Sequence, residues 1–186
     1  LAGLEAAGAT VTHLTVAELD PPGLTEASMY PEVAAAHRQR WREPHRFGPG
    51  VRNRLSRAFA LGVDDYVAGL AWRRSIQAAA HRALQNVDVL VTPTVGVLRK
   101  TIGDDEVDIA GSPGGFRANV ARFSALVNHL GFPALALPLP GASHPPPSLQ
   151  IIGPPWSEHR LLEIGAALEH AGLTITRRPP HWRPQT

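Results

Sequence analysis

The sequence contains no cysteine, so disulfides and thiolate-held metal sites are excluded outright. Of its 18 basic residues only Lys100 is a lysine, and the rest are arginines. That bias accompanies abundant alanine and proline and reads as codon usage rather than function. No apolar run approaches the ~20 residues that a membrane helix needs, and no basic-then-apolar leader pattern is visible at the start. No internal repeat is evident, and a cytoplasmic location is the default expectation. Charge of either sign is also scarce in the net. The 18 basic and 16 acidic residues leave +2, too small a balance for a nucleic-acid footprint. What is present is an ordinary globular composition, 44% hydrophobic and 18% charged. The 186 residues suffice for one domain with a real core.

The chain opens on Leu1 to Gly8, which reads as the tail of an amphipathic helix already under way. There is no N-cap residue before it, and the chain is therefore expected to be part of a longer protein. Thr10 to Val16 predicts a strand, and Asp20-Pro21-Pro22-Gly23 a turn. Thr25 can cap a short helix, and Pro31 at a first turn starts another to about Trp41. His37, Arg38, Arg40, Arg42, His45 and Arg46 form a basic stretch, read as a solvated face. An anionic partner is the competing reading of that stretch.

Val51 to Leu61 predicts a helix closed by Gly62. Asp64 is the expected N-cap of the longest helix, Asp65 to about Asn86. Val67, Leu70, Ala71, Ile76, Ala79, Ala80, Ala83 and Leu84 follow helical spacing there, with Trp72, Arg73, Arg74 and His81 on the flank. Val87 to Val91 is a buried strand, and residues 95–116 read as a long loop, a length that is usually functional.

A second helix ends at Gly131, where left-handed geometry is favoured, and Pro133 forbids its continuation. Ala134 to Leu137 and Ser148 to Ile152 are short apolar runs suited to buried strands. Ser157 caps a last helix, Glu158 to Ala171, stopped by Gly172. Leu173 to Thr176 is an edge-strand candidate, and 177–186 a surface tail. The alternation of helical periods and buried runs predicts an α/β fold. Its mixed sheet would be flanked by helices on both faces, with neighbours missing on one edge. Residues 1–176 form the domain portion.

The nine histidines show no HExxH or comparable ligand spacing, so no metal is expected. No G-x-S-x-G elbow occurs. Gly111-Ser112-Pro113-Gly114-Gly115 lacks both that pattern and the lysine of a phosphate loop, and reads as a hinge.

Three groups of residues share an order with a known family. They are Asp65-Tyr66 with Arg73; Asp88-Val89-Leu90-Val91-Thr92-Pro93-Thr94; and Asn128-x-x-Gly131-x-Pro133-Ala134-x-x-x-Pro138 followed by Leu149-Gln150-x-x-Gly153, Glu158 and Leu161-Leu162. Over roughly residues 60–172 the chain resembles the C-terminal part of the amidase signature family. The resemblance implies hydrolysis of a carboxamide by a serine nucleophile, assisted by a second serine on a cis peptide and a lysine base. It implies no cofactor.

No two serines are adjacent here, and Lys100 is not at the family's lysine position. The catalytic set is therefore expected outside this chain, to its N-terminal side, with no catalytic residue among these 186. Amidotransferase subunits of the family carry an acidic residue three positions before Ser124, where this chain has Ala121. That departure favours a carboxamide substrate other than glutamine.

Ligands of α/β sheets sit beyond the carboxyl ends of strands. Thr92 and Thr94 at such an end, with Ser124 and Asn128 on the returning helix, are the substrate-binding candidates. The expected partners are a small-molecule amide and the N-terminal part of the same protein, with a homodimer compatible. Neither nucleic acid nor membrane is expected. Two rival readings stand beside the amidase: a non-catalytic interaction domain that keeps the fold, and a nucleic-acid binder using Arg38 to Arg46 and Trp72 to Arg74.

Overall fold

The computed structural model describes residues 1–19, 25–96, 102–103, 106–109, 112–141 and 146–175. The turn expected at 20–23, Lys100, Asp104-Asp105, Gly111, Thr176 and the 177–186 tail lie outside them. In chain order the helices are α1 (Ala2–Ala6), α2 (Thr25–His37), α3 (Pro49–Ala60), α4 (Val63–Ala83), α5 (Phe116–Leu130) and α6 (Glu158–His170). The strands are β1 (Leu90–Pro93), β2 (Glu106–Ile109), β3 (Ser112–Gly115), β4 (Ala134–Pro138) and β5 (Ser148–Ile152). Two compact units result. One is residues 15–85, and the other joins 1–14 to the chain from 86 onward.

In the second of these units β5 is the central strand of a three-stranded sheet ordered β1-β5-β4. Both pairings are antiparallel, with Val91 opposite Ile151 and Ile151 opposite Leu135. The α/β class expected from the sequence holds, and among the described residues every strand pairing is antiparallel. Alternation along each strand sends Leu135, Leu137, Leu149 and Ile151 to one face. There they pack with Leu161, Ile164 and Leu168 of α6 and with Leu4 and Leu173. Helix α6 lies close to β4 because Gly165 has no side chain. A Cβ there would stand 2.6 Å from Leu135 Cδ2.

Helix α5 stops as its sequence requires. Gly131 is left-handed at φ 69° and its N–H bonds the Val127 carbonyl at 3.0 Å. Phe132 is then buried, and Pro133 accepts a hydrogen bond from Gly153 N–H at 3.0 Å. Gly8 (φ 92°) ends α1 in the same way. Ser157 does not cap α6 with its side chain. Its hydroxyl instead donates to the Pro154 carbonyl at 2.6 Å, tightening the Pro154–Ser157 turn. That turn holds Trp156 at φ 67°, a left-handed backbone uncommon for a bulky residue, with the indole 86% exposed.

Three further segments differ from expectation. Residues 10–16 form no strand, because a strand needs a neighbour to pair with, and the chain turns there into a 3-10 turn, Ala17–Leu19. The expected long loop contains an antiparallel hairpin, β2 against β3, with Glu106 opposite Gly115 and Ile109 opposite Ser112. Leu173 to Ile175 joins no ladder; Leu173 N–H bonds the Leu168 carbonyl at 2.9 Å and Ile175 N–H bonds Pro138 O at 3.1 Å.

The helical unit is α2, α3 and α4. Pro31 lies inside α2 rather than starting a new helix. It lacks the N–H that would bond the Ala27 carbonyl, and at this place α4 comes closest. A Cβ on Gly69 would sit 2.5 Å from Ser28 N and 2.7 Å from Ala27 O. One turn on, Arg73 donates to the Ser28 carbonyl at 2.7 Å and approaches Glu32 at 3.5 Å.

The buried stripe of α4 is Gly69, Trp72, Ile76, Ala79 and Ala80. Val67 is 58% exposed and Trp72 only 8%, so the helix is rotated from the expected phase. The helix also starts at Val63, one residue before the expected N-cap. Gly62 has no side chain to cap with, and the Asp65 carboxylate accepts its N–H at 2.8 Å. Trp41 stacks on Phe59 with ring centroids 5.1 Å apart, and Phe47 packs beside it, anchoring the 3-10 turns Arg40–Arg42 and Pro44–Arg46 to α3.

Two outcomes follow for stability. Gly69→Ala meets the Ala27–Ser28 backbone, which cannot swing aside, so overpacking costs about 1–3 kcal/mol, beyond the helix-propensity gain of about 1. Gly165→Ala meets only the rotatable tip of Leu135 and stays within about 1 kcal/mol of the parent, the same propensity gain offsetting the crowding. Urea midpoints of the two variants check the ordering.

The second outcome concerns pH. Burial raises the Tyr30 phenol above its ordinary value, and the neighbouring Glu26 carboxylate raises it further against Arg57. A raised folded-state value favours the neutral phenol, so this contribution is complete below about pH 10 and lost as pH rises through the folded value. Tyr30→Phe should flatten that part of the stability-versus-pH curve, and identical curves for both proteins would refute it.

Candidate functional site

The run Ser148-Leu149-Gln150-Ile151-Ile152 places one amide in the middle of an apolar strand. A polar side chain on a buried strand must find a partner, since an unpaired buried polar group costs free energy. Gln150 is 5% exposed, and its register partner on β1 is Thr92. Gln150 Nε2 donates to Thr92 Oγ1 at 3.0 Å, and the Thr92 hydroxyl donates to the Pro93 carbonyl at 3.0 Å. Ala136 of β4 is the partner on the other side of Gln150. The row Thr92–Gln150–Ala136 therefore lies on the sheet face opposite the leucine and isoleucine core under α6.

Thr94 follows the end of β1. Its N–H donates to the Ser148 carbonyl at 3.1 Å, which carries the pairing one step further. Its Oγ1 is buried and, among the described residues, has no hydrogen-bond partner. Asp88, which opens the Asp88–Thr94 motif, pairs with Arg160 of α6 at 2.6 Å. Both groups are exposed, so this pair contributes about 0–1 kcal/mol.

Ser124 and Asn128 are one turn apart on α5 and so share a side of that helix. The Ser124 hydroxyl bonds back to the Ala121 carbonyl at 3.3 Å, a bond internal to the helix. Asn128 is exposed. The structure thus brings Thr92 and Thr94 together with Gln150, and Ser124 together with Asn128. Among the described residues no hydrogen bond joins the two pairs.

Gln150 was not among the candidates taken from the sequence. Its signal was a lone amide between apolar neighbours. Among the described residues no cluster of histidine and carboxylate side chains could hold a metal ion, and no helix is long and apolar enough to cross a membrane. In the helical unit Trp72 is buried and Arg73 is bonded within the unit, so neither offers the exposed stacking surface that the nucleic-acid reading used.

Comparison with known proteins places this geometry. A family model described as Amidase matches residues 2–162. A fatty acid amide hydrolase of Oryza sativa subsp. indica is 35% identical over 130 residues, 69% of this chain and 21% of that protein. A 2-amino-5-chloromuconic acid deaminase of Comamonas testosteroni is 33% identical over 130 residues, 68% of this chain and 28% of the relative. Among solved structures, one described as an amidase superposes with a TM-score of 0.84 at 28% identity, covering 93% of this chain and 40% of its own. The chain belongs to the amidase signature family. It spans well under a third of the length of these curated relatives. The match also runs further toward the N-terminus than the resemblance read over residues 60–172, and takes in the helical unit.

The Gln150–Thr92 bond is testable by itself. Thr92→Val leaves a buried amide without its acceptor and costs about 1–3 kcal/mol, whereas Thr92→Val with Gln150→Leu costs less than the sum of the single changes. Thermal unfolding of the four proteins gives the cycle, and strict additivity would show that the bond carries no coupling.

Proposed function

We propose that the protein is an amidase that hydrolyses a carboxamide to a carboxylate and ammonia or an amine. In this reading a serine attacks the amide carbon, the amine leaves with a proton, and water then releases the acid from the acyl-enzyme. The observation that carries the reading is the family match over residues 2–162 together with the superposition at TM-score 0.84.

The nucleophile belongs to an N-terminal part of the same protein. In support, no two of the eight serines in this sequence are adjacent, and its one lysine lies in the segment after β1. This chain contributes the strand end at Thr92 and Thr94 and the α5 residues Ser124 and Asn128 to substrate binding. Its place is cytoplasmic, its partners are the amide and the N-terminal part, and it uses no cofactor.

Ala121 stands where glutamine-using members carry an acid, which favours a carboxamide other than glutamine. The relatives named fatty acid amide hydrolases make long-chain acyl amides the first compounds to try.

The purified 186-residue chain should release no ammonia from aliphatic, aromatic or long-chain amides, while the intact protein turns over at least one of them. Turnover by the chain alone that vanishes when one of its own serines is replaced would move the nucleophile into these residues. An intact protein inert on the whole panel would favour a non-catalytic member that keeps the fold.

A further inference from the structure

Four side chains stand as substrate-binding candidates, and their hydrogen-bonding capacity separates them. The Thr92 hydroxyl accepts from Gln150 and donates to the Pro93 carbonyl, so its proton and one lone pair are committed to the fold. The Ser124 proton is committed to the Ala121 carbonyl one turn back. Asn128 is solvated. Thr94 differs from all three. Its backbone N–H is fixed by Ser148, so the residue is held in place, yet its Oγ1 is buried and makes no hydrogen bond among the described residues.

A buried hydroxyl left without a partner costs about 1–3 kcal/mol, and a valine of nearly the same shape would remove that cost. Among the described residues, folding therefore gives no reason for a hydroxyl here. A ligand does. The position is the end of a strand, one step past the Thr92–Gln150 pair, where convergent polar groups can meet a ligand.

We infer that Thr94 Oγ1 is a specificity-determining hydrogen-bonding group of the substrate site, taking the neutral amide group of the carboxamide. A hydroxyl can accept from the amide N–H, and primary and secondary amides both present one. This rests on the amidase reading, and it assigns to one atom what that reading spreads over four residues. Thr94 orients the amide and takes no part in bond making, so the proton accounting of hydrolysis is unchanged by it.

The test compares the intact wild-type protein with Thr94→Val and Thr94→Ser, using a long-chain primary amide and benzamide as the probes. Each protein is followed by steady-state hydrolysis, thermal unfolding and ligand-observed NMR. The expected result is a KM about tenfold higher for Thr94→Val, from the loss of one buried hydrogen bond. The kcat should stay within about twofold, since the orienting bond is present in ground and transition states alike. Thr94→Ser should restore KM, and the Tm of Thr94→Val should equal or exceed that of wild type.

A lower Tm for Thr94→Val with unchanged KM would make the hydroxyl a structural group and overturn the inference. An unchanged KM with unchanged Tm would overturn it as well. If the wild-type protein hydrolyses neither probe, the amidase reading fails separately, and NMR then decides. Amide binding lost in Thr94→Val and kept in Thr94→Ser supports the assignment, whereas binding that is equal in all three, or absent from wild type, refutes it.

Discussion

Strand β5 is bonded on both of its edges, and much of the sheet unit depends on that double pairing. With β1 on one side and β4 on the other, Ile151 and Ile152 are each 1% exposed, and the register of all three strands is fixed at once. A slip of one residue would carry Gln150 into the leucine core under α6 and bring Ile151 to the polar side. The single amide in β5 thus does two things. It identifies the register, because only one register gives its Nε2 the Thr92 hydroxyl, and it marks the face opposite the leucine core, which the buried Ile152 shares. Thr94, two residues past Thr92, takes its orientation from the same ladder through Ser148.

The helical unit depends on a different constraint, the distance between two backbones. Gly69 lets α4 rest on the Ala27–Ser28 peptide, and Pro31 leaves the Ala27 carbonyl without its helical donor at that same place. Arg73 then supplies a donor to the neighbouring Ser28 carbonyl. The arrangement is a helix crossing with a polar tie rather than a broad apolar interface. Small residues make up most of the α4 stripe accordingly, with Ala79 and Ala80 almost wholly buried and Trp72 and Ile76 the large exceptions.

Much of this was legible in the sequence where a local rule decides the outcome. Gly131 with Pro133 set the end of α5 and the start of β4, and the apolar run 148–152 became β5 as expected. What escaped was decided by partners distant in the chain. Residues 10–16 have strand composition but pair with no strand among the described residues. Ser112-Pro113-Gly114-Gly115 has poor strand composition, yet β2 lies opposite it. Trp72 and Val67 exchanged places because the phase of α4 follows the close approach at Gly69, which no periodicity encodes. At the site the strand end was readable from Thr92-Pro93-Thr94. The use of each hydroxyl was not, since the donor to Thr92 lies 58 residues away.

The turn at Pro154–Ser157 also has an optical consequence. It holds the indole of Trp156 out in water, while Trp72 is enclosed by the helical unit and Trp41 lies stacked on Phe59. Solvent relaxation shifts the emission of an exposed indole to longer wavelength and lets aqueous iodide quench it. The described tryptophans therefore divide into a quenchable, red-shifted signal from the sheet unit and a protected, blue-shifted one from the helices. Each unit of this chain carries its own intrinsic fluorophore, with no label required.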